Sequence, residues 1–245
     1  MPNAVVVPEG QPLTQVERVV DTFVAPSKTF SDILRSASCW LPIVILLIMS
    51  VVYAYAVDKK VGFDAVAQQQ LEKMPAMQER VDAMAPADRA KVIQQRAVGT
   101  KVSTYGFVAL ALIFIAIHAL LLWASFNFGL GAKTTFGQVF AVVLYAGLPK
   151  ILIWILGIIL LFAGVGIDGF DVQNPAGTNV GYFLSNNSMR AAGSFLDIFG
   201  LWSLALLVLG MAIISRKSKG AAAAIVVGWG VIGLLITTGI AAAFS

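Results

Sequence analysis

The chain has 245 residues, of which 58% are hydrophobic and only 12% are charged. A soluble domain carries about 25% charged residues, so this composition excludes an ordinary soluble globular protein and points to an integral membrane one. The formal charge of +4 is the surplus that the positive-inside bias alone produces, and it gives no ground for a nucleic-acid partner.

The apolar runs are longer than core helices and lack the alternation of barrel strands, so they predict membrane-spanning helices packed as a bundle. In chain order, residues 1–11 are punctuated by Pro and Gly and predict disorder, with no cleavable signal peptide before the first apolar run. Leu13, Val16, Val20 and Phe23 recur at helical spacing, with Glu17, Arg18 and Asp21 elsewhere on the wheel. That helix stops at Ala25-Pro26, and a second short one follows over Ser27–Ser36, with Phe30, Ile33 and Leu34 on one side. Two readings of this arm of residues 1–39 stand side by side: helices lying along the membrane surface, or a docking arm for a soluble partner.

The first span is predicted at about 40–57, with Trp40 at the interface and Pro42 in the first turn, where its missing N–H costs nothing. Asp58–Lys101 is a polar insertion with eight Lys/Arg and six Asp/Glu, divided by Pro75 and Pro86 into three short helical stretches. It predicts an external helical cap whose last stretch runs into the second span, at about 102–126. An alternative use for the cap is a substrate lid or partner surface. Asn127–Lys133 is a tight turn.

The third apolar run, about 134–166, would be about 45–50 Å long as one straight helix, against a hydrocarbon core of about 30 Å. A break is predicted at Gly147-Leu148-Pro149-Lys150. Pro149 lacks an N–H and clashes with the preceding turn, and Gly147 loosens it. The first piece is read as a half-buried helix entering from the surface. The second is read as the spanning part, with Lys150 snorkelling at its first turn. Ile167–Gly193, rich in Gly, Asn and Ser, predicts an ordered polar loop. The fourth span is predicted at about 195–214, with Asp197 near its start. The fifth is at about 221–244, where Ala224, Gly228, Gly230 and Gly233 predict close packing inside the bundle.

Lys133, Arg216, Lys217 and Lys219 lie in the two short turns on the side of the N-terminus, which places that end in the cytoplasm and the C-terminus outside. The basic residues of the first insertion vote the other way, but they are interleaved with acids.

Catalytic residues are scarce. One His and one Cys exclude the usual histidine–cysteine metal clusters, and the lone Cys39 excludes an intramolecular disulfide. There is no HExxH, GxSxG or Walker loop, so neither an enzyme nor a cofactor is expected. Gly164–Asp168 reads as the turn ending a helix. Asp168, Asp171 and Asn174 have a ligand-like spacing for calcium but not that of an EF-hand. The functional candidates are the ionisable residues in or beside spans, His118, Lys150 and Asp197. Each has a structural reading too: a hydrogen-bonded neutral imidazole, an interfacial ammonium, and a helix-start carboxylate favoured by the dipole.

Gly131–Pro149 (GAKTTFGQVFAVVLYAGLP) and Phe195–Gly220 (FLDIFGLWSLALLVLGMAIISRKSKG), with its Asp197-x-Phe199-x-x-Trp202 step, resemble the centre of the Yip family, the Ypt-interacting proteins. Ala25–Phe30, followed by Trp40 and Pro42, resembles the family's opening segment. The resemblance implies five spans, a cytoplasmic N-terminus and no enzymatic activity. Its eukaryotic members are linked to Rab-type GTPases and vesicle traffic. This chain looks like the bacterial branch, which implies an inner-membrane location. The expected fold is all-α: a five-span bundle with a broken third span and an external helical cap. The expected function is a non-enzymatic scaffold or adaptor organising protein partners or lipids, with homo-oligomerisation through small-residue helix faces. The alternative is a small transporter or channel with a polar path near His118 and Lys150.

Overall fold

A computed structural model describes residues 11–72, 74–164, 170–184 and 186–243. The predicted disorder of residues 1–10, the turn over Val165–Asp168 and the end of the last span at Phe244 fall outside the described residues.

Apolar backbone in a bilayer has to satisfy its own N–H and C=O groups, and the chain does so with helices. In order these are α1 (Gln15–Val24), α2 (Pro26–Asp32), α3 (Trp40–Lys60), α4 (Phe63–Glu72), α5 (Pro75–Asp82), α6 (Pro86–Ala124), α7 (Phe136–Gly147), α8 (Ile151–Phe162), α9 (Asn187–Ser194), α10 (Ile198–Ser215) and α11 (Lys219–Ala243). Five segments are long and apolar enough to cross a membrane: α3, α6 with the π-helical turn Ser125–Gly129 that continues it, the pair α7–α8, α10 and α11. The third is split by a 3-10 turn over Leu148–Lys150, where Pro149 removes a backbone donor.

The helices contribute to two compact units. One comprises Met1–Ile45, Ala111–Lys150 and Leu201–Val231. Its core is built on α7, whose Val139 and Ala141–Ala146 are all buried, together with Phe30, Ile33, Leu122, Phe126 and Met211. The first piece of the broken span is therefore a core helix rather than a half-buried surface one. Gly210 permits the closest approach in this unit. A Cβ there would lie 2.6 Å from Val142 Cγ1 and 3.0 Å from Phe30 Cδ1.

The other unit comprises Leu46–Leu110, Ile151–Gly200 and Ile232–Ser245. Its core gathers Tyr53, Ala56 and Val57 of α3, Phe63, Val66 and Ala67 of α4, Ala97 of α6, Leu161 of α8 and Phe170. Tyr53 stacks on Trp154 at 6.1 Å, and Phe107 meets the same indole edge-on at 5.9 Å. The first stretch of the polar insertion thus turns an apolar face into this core.

The last helix departs from its predicted place inside the bundle. Val227, Val231, Leu235, Ile236 and Ile240 of α11 are exposed. Outside the helix's own neighbouring backbone and chain neighbours, no heavy atom among the described residues comes within 4 Å of a Cβ built on Gly228, Gly230 or Gly233. Small residues permit close approach but do not compel it, and in lipid there is no hydrophobic force to drive helices together.

Candidate functional site

The arm starts with a capping box. Glu17 N–H donates to Thr14 Oγ1 at 3.2 Å, and Thr14 N–H donates to Glu17 Oε2 at 2.7 Å. The Thr14 hydroxyl also donates to Glu17 Oε2, at 2.8 Å, and the two bonds from Thr14 to this exposed carboxyl hold it below the usual carboxylate range, the backbone N–H contributing most. The helical period then separates two faces of α1. Val16, Val20 and Val24 are 65%, 53% and 74% exposed, whereas Arg18 and Thr22 are 2% and 0% exposed. Arg18 and Thr22 face the protein and the valines face outward.

Arg18 is the centre of this arrangement. Its Nε and Nη2 both donate to Asp32 Oδ2, at 2.8 and 2.7 Å, and its Nη1 donates to the Ser38 carbonyl at 2.9 Å. The carbonyl of Arg18 accepts the hydroxyls of Thr22 at 2.7 Å and Thr29 at 2.9 Å. The Tyr145 hydroxyl of α7 donates to Gln15 Oε1 at 2.8 Å. One charge pair thus ties α1 to α2 and to the entry of α3, and a tyrosine ties α1 to α7. Asp32 is also buried, and a buried pair persists only when its remaining donors and acceptors are engaged. Cys39 borders this cluster. Burial pushes its thiol above the usual range, and the Arg18 charge opposes that shift.

A second polar cluster precedes α7. Asn127 Nδ2 donates to the Thr134 carbonyl at 3.1 Å, Thr134 N–H donates to Asn127 Oδ1 at 2.9 Å, and Trp123 Nε1 donates to the same carbonyl at 3.0 Å. Thr135 and Gln138 form the capping box of α7. The Thr-Thr-Phe-Gly-Gln motif is thereby explained as a clamp followed by a helix start.

The candidates from sequence occupy different settings. Gly147 and Pro149 form the break itself, with Pro149 buried, and α1 packs against the turn Leu148–Lys150. Lys150 is exposed, and its ammonium lies close enough to His118 for an electrostatic interaction. Trp202 meets Phe23 of α1 edge-to-face at 5.6 Å, so it belongs with the arm. Asp197 caps α10: its Oδ1 accepts the N–H groups of Phe199 and Gly200, both at 2.9 Å, and its Oδ2 accepts the Thr178 hydroxyl. This is the helix-start role read from sequence. Asp168 falls outside the described residues, and Asp171 is paired with Arg190 at 2.8 Å. Among the described residues no group of three or more His, Cys, Asp and Glu is placed to hold a metal ion.

Sequence reasoning missed Arg18, Asp32, Tyr145 and Asn127. The available signal was the combination of an arginine and a valine stripe on one short helix next to a span.

The fold and these sites define a polytopic helical membrane protein in which the polar groups around Arg18, Asn127 and Asp197 are tied into hydrogen-bonded clusters. The model of the Yip1 domain matches residues 20–240, and the chain belongs to this family. Proteins of this family are non-catalytic. No curated protein and no solved structure matches the chain.

Proposed function

We propose that this Yip-family protein is a membrane scaffold whose fixed N-terminal arm presents a docking surface to a protein partner. The observation that carries the reading is the fully buried Arg18–Asp32 pair. It anchors α1 so that Val16, Val20 and Val24 face outward as one stripe. Glu17 lies at the edge of that stripe and Asp21 beyond it. Interfacial lipid-binding helices carry Lys and Arg on the polar face, and an acid-edged stripe suits a partner whose apolar face is bordered by basic residues. The basic residues Lys133, Arg216, Lys217 and Lys219 favour a cytoplasmic arm. The uncovered glycines of α11, Gly228, Gly230 and Gly233, leave room for a second copy of the chain.

The test places a photo-crosslinking amino acid at Val20 in cells. A discrete protein adduct that disappears when Glu17 and Asp21 are both changed to Lys supports docking. Adducts with lipid alone remove it.

A transporter is the second reading, favoured by one observation: the third span is broken at the turn Leu148–Lys150, whose lysine acts electrostatically on His118. Broken helices line substrate sites in many transporters.

A further inference from the structure

The segment that reads as a polar loop is built inside out. Between Phe170 and Ile198 the sequence has only three charged residues, Asp171, Arg190 and Asp197. All three are engaged internally: Arg190 Nη2 donates to Asp171 Oδ2 at 2.8 Å, and Asp197 caps α10 and accepts Thr178. Asn174 and Asn179 exchange side-chain hydrogen bonds at 3.2 and 2.7 Å, and Asn179 and Asp197 form an isolated β-bridge. Asn179 and Asp197 are both buried. Two glycines cross at the centre, where a Cβ on Gly181 would lie 2.3 Å from the Arg190 carbonyl oxygen and one on Gly193 2.6 Å from the Gly181 nitrogen. Most of the outward side chains are apolar, Val180, Tyr182, Phe183, Met189, Leu196 and Ile198, with Phe183 76% exposed, and the polar Gln173 and Asn186 are exposed beside them. A segment whose charges are paired internally and whose exposed face is mostly apolar suits an apolar surrounding.

Its depth can be read from the helices it touches. Lys60 at the end of α3 lies 4.6 Å over the ring of Phe162 at the end of α8, so the two helix ends share one level. The segment is anchored below that level. The Val172 carbonyl accepts the Tyr53 hydroxyl at 2.8 Å, and Tyr53 lies seven residues, about 10 Å, before Lys60. Pro175 packs on Gly157, where a Cβ would come within 2.8 Å of it. Gly157 lies five residues, about 8 Å, before Phe162. Lys59 and Lys60 mark the polar end of the span. Interfacial elements bury their apolar face about 5–10 Å into a bilayer.

We propose that residues 170–184 and 186–198 fold back into the bilayer and form a lipid-inserted wedge in the membrane half that holds the Lys60 end of α3. The occupant of its apolar face is lipid. Tyr182 and Phe183 sit among acyl chains and headgroup-proximal carbons, and the wedge displaces lipid in that leaflet.

The test uses the full chain with Cys39→Ser, reconstituted in liposomes of phosphatidylcholine and phosphatidylglycerol. Bimane is attached to Phe183→Cys or Met189→Cys, both at exposed positions. Ile159→Cys on α8 serves as the lipid-facing reference and Ala76→Cys on α5 as the water-facing one. The wedge predicts quenching by brominated acyl chains within twofold of the Ile159 reference, and iodide quenching at least fivefold weaker than at position 76. Iodide quenching equal to that at position 76 overturns the proposal and makes the segment an aqueous loop. Protection from both quenchers at both positions also overturns it, because a protein surface rather than lipid then covers the face.

Discussion

Replacing Asp32 with Ala tests the arm's anchor. In the intact protein Asp32 Oδ2 accepts two guanidinium hydrogen bonds from Arg18, and both side chains are buried. The substitution leaves Arg18 with the Ser38 carbonyl and the backbone carbonyl of residue 32 as acceptors. Removing one partner of a buried pair costs about 3–5 kcal/mol, because the other charge stays buried and uncompensated. At about 1.4 kcal/mol per tenfold, the equilibrium for opening the arm rises about 10²- to 4 × 10³-fold. Hydrogen exchange followed by mass spectrometry on α1 peptides reads this directly: their amides should exchange faster by that factor, while α8 peptides keep their rates. The double variant Arg18→Met with Asp32→Leu removes both charges and should restore most of the protection, since apolar replacement of a whole buried pair is often close to neutral. If Asp32→Ala leaves α1 exchange unchanged, the pair does not hold the arm and the reasoning fails.

Further outcomes follow from other contacts. Gly210→Val drives methyl groups into Val142 and Phe30, and overpacking of this kind costs about 1–3 kcal/mol, visible as a lowered Tm in detergent. Thr135→Ala removes the capping box of α7 and should cost about 0.5–2 kcal/mol in the same melt, whereas Thr135→Ser should not. The Glu17 carboxyl sits below its ordinary pKa in the folded arm, so its contribution to α1 is complete above the unfolded carboxylate pKa, about 4.3. That contribution is lost as pH falls through the lower folded value. Exchange protection at the start of α1 should therefore fall on acidification below about pH 4, and Glu17→Gln should flatten that dependence. Cys39, its thiol pushed up by burial, should alkylate more slowly at pH 7.5 than a cysteine placed at exposed Ala76, and the thiol-labelling time course decides it.

The helical class was legible because bilayer thickness turns run length into span count, and the break was legible because a proline and a glycine share one turn at 147–150. Three things were not. The burial of Arg18 was hidden because a wheel argument leaves charged side chains in water, whereas its partner Asp32 lies fourteen residues further along the chain. The segment after Phe170 read as a polar loop from its Asn, Ser and Gly content, yet those groups bond to one another and leave Phe183 outside. The place of α11 was unreadable because Gly228 and Gly233 allow a close neighbour without supplying one. Asp197 was readable in part: its position marked a helix start, but its bond to Thr178 depends on chain nineteen residues away.

The scaffold reading is tested most directly at the break in the third span. With Cys39→Ser as background, single cysteines are placed through Ala146–Gly157 and a membrane-impermeant thiol reagent is applied from each side. A scaffold with a dry interior predicts labelling that stops abruptly just after Lys150. Labelling that continues at every third or fourth position would mean that water follows one face of α8 into the membrane. That result would contradict the scaffold account and put the transporter first.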